Sequence, residues 1–228
     1  MTASSSEVST ADLLKRLAVP IVFAVVLVTA AAWQGRLTLG VGLFLALVFS
    51  MSVTRIMATR GEPLPIKAAF APTREKWLVT VVALGMVWLP IVAIATPFLD
   101  FAAYTPPLPA IAIGVLISII ALWLFYRSHT DLGAYWSPVL EIRENHALVT
   151  DGVYRRMRHP MYTAIFLWTC AQALILGNWI AGPSGMITFI ILYAIRVGPE
   201  EKMMVETFGD EYRDYCRRTG RLLPKLTS

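Results

Sequence analysis

The chain has 228 residues, 20 Lys+Arg against 15 Asp+Glu, and 57% apolar residues against roughly 45–50% in an ordinary soluble domain. With only 15% charged residues and a mean hydropathy of +0.62, the composition excludes a disordered, collagen-like or disulfide-scaffold chain and points to a membrane protein. The net charge of +5 gathers beside apolar stretches, where membrane orientation explains it better than nucleic-acid binding does, and no strand–helix alternation supports a soluble Rossmann enzyme.

Residues 1–16 form a polar, mixed-charge segment without a cleavage site, so the first apolar stretch is expected to be retained. Residues 17–126 predict four transmembrane helices, at 17–33, 37–57, 77–98 and 108–126, since a crossing takes about 20 apolar residues. Gly35-Arg36 turns the chain after the first, and Pro63, Pro65 and Pro72, then Pro106, Pro107 and Pro109, punctuate the next connections. Residues 127–228 hold a polar motif, apolar runs at 161–177 and 185–197, and an amphipathic tail. Asn178 to Ser184, with Gly182 and Pro183, reads as a turn, so these runs make either two short spans or a re-entrant hairpin. The fold expected is an all-α polytopic bundle of about six helical segments. With the N-terminus inside, 19 of the 20 cationic residues fall on the cytoplasmic side and only Arg36 outside, which places both termini and the functional face in the cytoplasm.

Polar chemistry concentrates in that last region. His146 to Tyr162 packs two of the three histidines, three arginines and two tyrosines against the start of an apolar run. Pro160 suits a helix's first turn, which leaves Arg158 and His159 at an N-terminal mouth that favours an anionic group. No HxxxH or HExxH pair is present, and Cys170 and Cys216 lack ligand spacing, so neither a metal nor a disulfide is expected. A second cluster, Arg196-Val-Gly-Pro199-Glu200-Glu201, reads as the opening of a new helix at Pro199, its carboxylates complementing the positive end. Met204, Phe208, Tyr212 and Tyr215 then share one apolar face, expected to pack on the bundle or the lipid interface, with Gly209 breaking the helix.

The order His146-x-Leu-Val-Thr-x-Gly-Val-Tyr, then Arg158-His-Pro-x-Tyr162, then Arg196-x3-Glu200-Glu201-x6-Phe208-Gly-x-Glu-Tyr212-x2-Tyr215 resembles the isoprenylcysteine carboxyl methyltransferase family of integral membrane enzymes. Arg-His-Pro-x-Tyr alone would be shared with phospholipid methyltransferases and membrane sterol reductases. The resemblance covers about residues 127–226. It implies S-adenosylmethionine as the methyl donor, lined by His146, Ala147, Leu148, Val149, Tyr154, His159, Pro160, Met161, Tyr162 and Glu200. It also implies that Arg196 faces the carboxylate of a lipid-like acceptor such as a prenylated cysteine. One departure is Val139, which stands where the family would place a cofactor-binding glutamine.

A carboxylate acceptor is ionised at neutral pH and needs alignment more than a base, whereas an amine acceptor, as in phospholipid N-methylation, would call on a general base such as Glu201. A non-catalytic transporter or assembly protein is the alternative from another class. The spans hold almost no mid-membrane charge, which a transporter would be expected to carry.

Overall fold

The computed structural model describes residues 10–58, 64–144 and 146–225; Pro63, read as punctuating a connection, and Arg60, one of the cationic residues counted for orientation, lie outside them. The described chain is mostly helical. Helices α1 (Thr10–Trp33) and α2 (Leu39–Ala58) come first. Next, α3 (Pro72–Ala83) continues through a π-helical turn (Leu84–Trp88) into α4 (Leu89–Ala95), followed by a 3-10 turn (Pro97–Ala102). Then come α5 (Leu108–Leu132), α6 (Pro160–Ile175), α7 (Ser184–Phe208) and α8 (Asp210–Arg218). Among the described residues, four helical stretches are long and apolar enough to cross a membrane: Asp12–Trp33, Leu39–Ala58, Pro72–Ala95 and Leu108–Tyr135. Exposed Val, Ile and Leu side chains on α1, α5 and α7 have the composition that lipid, rather than water, tolerates.

Two departures from the sequence reading are local. First, β1 (Ile66–Ala69) pairs antiparallel with β2 (Glu141–Arg143), a short ribbon that ties the α2–α3 connection to the α5–α6 connection. Four and three residues are too few to show a strand period among mixed polar and apolar side chains. Second, Pro199 does not open a helix but lies inside α7. Its ring removes one N–H, the partner of the Ile195 carbonyl, yet packing on α3 and α6 carries the helix onward to Gly209. Glu200 and Glu201 therefore stand mid-helix rather than at a positive helix end.

Packing at the two ends fixes where the site lies. At one end Arg36 forms an ion pair with Asp100, and the α6–α7 turn is stitched to the α4–α5 connection: Tyr104 N donates to Gly177 O at 2.9 Å, and Trp179 N to Ala102 O at 2.9 Å. Asn178 is buried there, its side-chain amide donating to Leu99 O at 2.8 Å. The turn between α6 and α7 thus reaches the same level as the end of two candidate spans. Gly40 allows this closeness between α2 and α6, since a Cβ on it would sit 2.0 Å from Ile175 O. The π turn leaves the Gly85 carbonyl outside the α-helical ladder, where Gln172 Nε2 (3.3 Å) and Ser184 Oγ (2.6 Å) donate to it.

A labelling result follows. With Asn178 buried, the exposed neighbour Trp179, 69% accessible, is the informative position. A cysteine at Trp179 should react with an impermeant thiol reagent from the outer face only, and one at Lys67 from the cytoplasmic face only. Labelling of both from one face would refute the alternating topology.

Candidate functional site

At the end opposite Asp100, a cavity of about 390 Å³ opens among α2, α3, α5, α6, α7 and α8. His146, Leu148, Val149, Tyr154, His159, Pro160, Met161, Tyr162, Arg196 and Glu200 all line it; Ala147 and Glu201 do not. Val139 lines it as well, so an apolar side chain occupies the place where the resemblance would put glutamine.

The α5–α6 connection builds one wall. Gly152, at φ +58°, makes the turn, and the Asp131 carboxylate accepts from Val153 N at 2.9 Å, which delivers Tyr154 to the cavity. His146 stacks on Tyr135 with ring centroids 4.5 Å apart, and its Nδ1 accepts from Arg143 N at 3.4 Å. Burial first, and the nearby Arg143 charge second, lower its pKa, so it faces the cavity as neutral imidazole.

As the Pro160 reading expects, α6 starts at that residue, with His159 at its N-cap. The anionic partner at this mouth comes from the chain itself. Arg158 Nε donates to Glu201 at 3.1 Å, His159 Nε2 lies 3.3 Å from Glu201, and His159 Nδ1 lies 3.6 Å from Glu200. Arg221 Nη2 donates to the other Glu201 oxygen at 2.7 Å. Backbone bonds from Arg158 N to Gly220 O (2.8 Å) and from His159 N to Arg221 O (3.0 Å) lay the tail across this loop.

Burial opposes the charge on each of these groups, but their contacts win. His159 is raised above the ordinary imidazole range by Glu200 and Glu201. Glu200 is lowered by His159, Arg196 and Tyr162, and Glu201 falls to about 2 under His159, Arg221 and Arg158. A carboxylate so strongly held, and off the cavity wall, is a poor base; the geometry does not suit the general-base role drawn for Glu201 from the sequence.

The Tyr162 hydroxyl, on α6, donates to Glu200 on α7, and Arg196, one turn before Glu200, has its Nε 3.7 Å from that carboxylate. Arg196 Nη1 donates to Pro138 O at 2.9 Å, and its guanidinium carbon lies 6.0 Å from the Tyr162 ring centre.

Several cavity residues carried no recognisable signal in the sequence. Arg55 lies over Trp136 at 4.7 Å, and His129 packs on Phe125 and Trp136 with its Nδ1 2.9 Å from Phe125 O. Apolar periodicity did place Met204, Tyr212 and Tyr215 on one face. That face closes the cavity rather than meeting lipid, and Tyr215 donates to Tyr154 O at 2.6 Å.

A largely apolar pocket with a few converging polar and charged side chains, at one end of a bundle with four helices apolar enough to cross a membrane, defines the class as an integral membrane protein of helical-bundle type. Residues 110–206 match the model of the isoprenylcysteine carboxyl methyltransferase family, so the resemblance carried by the motifs holds in this region. The chain is similar to protein-S-isoprenylcysteine O-methyltransferases of Homo sapiens, at 37% identity over 113 residues (49% of this chain, 40% of that protein), and of Schizosaccharomyces pombe, at 31% over 114 residues (48% of each). The one from Dictyostelium discoideum is 37% identical over 151 residues, covering 52% of this chain and 62% of its own. The chain thus matches about half the length of these relatives. In fold it resembles the eukaryotic intramembrane Ras methyltransferase ICMT, with a TM-score of 0.57, 18% identity, and coverage of 91% of this chain and 75% of that one.

Proposed function

We propose that the protein is an integral membrane methyltransferase that esterifies the carboxylate of a lipid-like acceptor, such as a prenylated cysteine, with S-adenosylmethionine as donor. The observation that carries this reading is the single cavity that joins His146, His159, Tyr162, Glu200 and Arg196 to an apolar arm of Val79, Val82, Met86, Ile165, Phe189 and Leu192. Its volume of about 390 Å³ lies within the roughly 300–1,000 Å³ of small-molecule sites. The residue set suits the donor: a half-buried carboxylate for cationic groups, a neutral imidazole stacked on tyrosine, and aliphatic walls.

When bound, S-adenosylmethionine would supply an electrophilic methyl group, which an acceptor carboxylate oxygen displaces from sulfur to give a methyl ester and a neutral thioether. His146, Leu148, Val149, Tyr154, His159, Pro160, Met161, Tyr162 and Glu200, which line the cavity, would hold the donor, and Ala147, exposed beside them, would act through the backbone between His146 and Leu148. Arg196 would orient the acceptor carboxylate, and the apolar arm would take its tail from the bilayer. A carboxylic acid with an ordinary pKa of about 3.5 is ionised at neutral pH, so alignment and exclusion of water are the protein's tasks. Glu201, tied to three cations, then serves to hold the His159 loop. The active site and both termini would face the cytoplasm.

The test is direct. Detergent-purified protein should bind S-adenosylhomocysteine and should transfer labelled methyl to farnesylcysteine-type carboxylates in preference to a fatty acid or phosphatidylethanolamine. Absence of S-adenosylhomocysteine binding would reject the donor, and methylation of the amine lipid alone would reject the acceptor class.

A further inference from the structure

The cavity is built mainly from the second half of the chain, yet its arginine leans on the first. Glu75, in the first turn of α3, has a side chain that is 0% exposed, and its Oε2 lies 3.1 Å from Arg196 Nε. Its other oxygen lies 3.5 Å from Arg74 Nη2. A glutamate that only complements the α3 dipole would keep its charge in water, because burying an unpaired carboxylate is costly. This one is buried against Arg196, 121 positions away in the sequence and outside the family-matched residues 110–206.

Two carboxylates thus compete for one guanidinium. Glu75 lies 3.1 Å from Arg196 Nε, and Glu200 lies 3.7 Å from the same atom. Glu200 has other partners, the Tyr162 hydroxyl and His159, whereas Arg196 is held from other sides by the Pro138 carbonyl and the face of the Tyr162 ring. Without Glu75, Arg196 would move onto the anchored Glu200 and leave the place from which it meets an acceptor. Neither Glu75 Oε2 nor Arg196 Nε makes an aligned hydrogen bond, so charge rather than a directed bond holds the pair.

We infer that Glu75 is a positioning residue for the reaction, holding Arg196 off Glu200 so that the acceptor's carboxylate and the donor are held by separate groups. The inference rests on the methyltransferase reading above. Glu75 touches neither ligand: it lies behind Arg196, off the cavity wall.

The experiment compares wild type, Glu75→Gln and Glu75→Asp by S-adenosylhomocysteine titration and by methyl-transfer kinetics on a farnesylcysteine-type acceptor. Glu75→Gln keeps the shape and loses the charge, so the acceptor KM should rise at least tenfold while S-adenosylhomocysteine affinity stays within threefold. Glu75→Asp keeps the charge one methylene short and should raise KM by a smaller factor; it also answers the question if Glu75→Gln does not fold. A purely structural role would lower thermal stability and leave KM unmoved, and a wild-type KM in either folded variant overturns the inference. Failure of wild type to bind S-adenosylhomocysteine would instead reject the methyltransferase reading itself, a result the wild-type titration gives before any variant is made.

Discussion

Arg196→Lys is expected to lose turnover by about 100-fold, on the scale of removing one preorganised donor from a charge-stabilising site, with S-adenosylhomocysteine affinity nearly unchanged. The cradle explains the size. Arg196 reaches the Pro138 carbonyl with Nη1 at 2.9 Å while its Nε stays 3.1 Å from Glu75. A lysine ammonium is a point charge on a flexible stem and cannot meet both while presenting a planar, two-toothed edge to a carboxylate. Charge at the site is conserved by the substitution, so the loss reports geometry. Single-turnover kinetics with saturating donor would separate the two terms, and full activity of Arg196→Lys would remove Arg196 from acceptor recognition.

The pairing that makes Arg196 effective is also what local sequence hides. Four apolar runs near crossing length were legible because lipid demands them, and each falls on a candidate span. The Pro160 start of α6 was legible because proline tolerates the first turn of a helix and little else in one. Glu75 was not, since Thr73-Arg74-Glu75-Lys76 reads as a solvated first turn and only the packing of α3 on α7 buries it. Pro199 misled for the reverse reason: a proline marks a helix boundary in isolation, but packed neighbours can hold a helix through one lost hydrogen bond. The tail was half legible. Its three-and-four spacing gave the apolar face of Tyr212 and Tyr215, whereas spacing says nothing about whether that face meets lipid or closes a cavity.

Glu201→Gln should loosen the whole Arg158–His159 loop, because one carboxylate is shared by Arg158, His159 and Arg221 and the tail crosses that loop through Gly220 and Arg221. Losing the charged acceptor costs about 2 kcal/mol per hydrogen bond to a charged group, discounted here for partial exposure, and leaves three cations facing one another. The pH dependence of the wild-type protein follows from the same contacts. His159 has its folded pKa raised above 6.5, so its contribution is complete below 6.5 and is lost as pH rises through the raised value. Glu201 has its folded pKa lowered from 4.5 to about 2, so its contribution is complete above 4.5 and is lost as pH falls towards 2. Stability and S-adenosylhomocysteine affinity should therefore form a plateau between 4.5 and 6.5 with a decline on the alkaline side. Glu201→Gln should lower the plateau and flatten that decline, since His159 loses one of its two carboxylate partners, and His159→Gln should abolish the decline and shrink the acid limb, which Arg221 and Arg158 then hold without the histidine. Thermal unfolding in detergent from about pH 5 to about pH 9 measures the alkaline limb. An alkaline decline that persists in His159→Gln would assign it to another group and break the link between the histidine's charge and the loop.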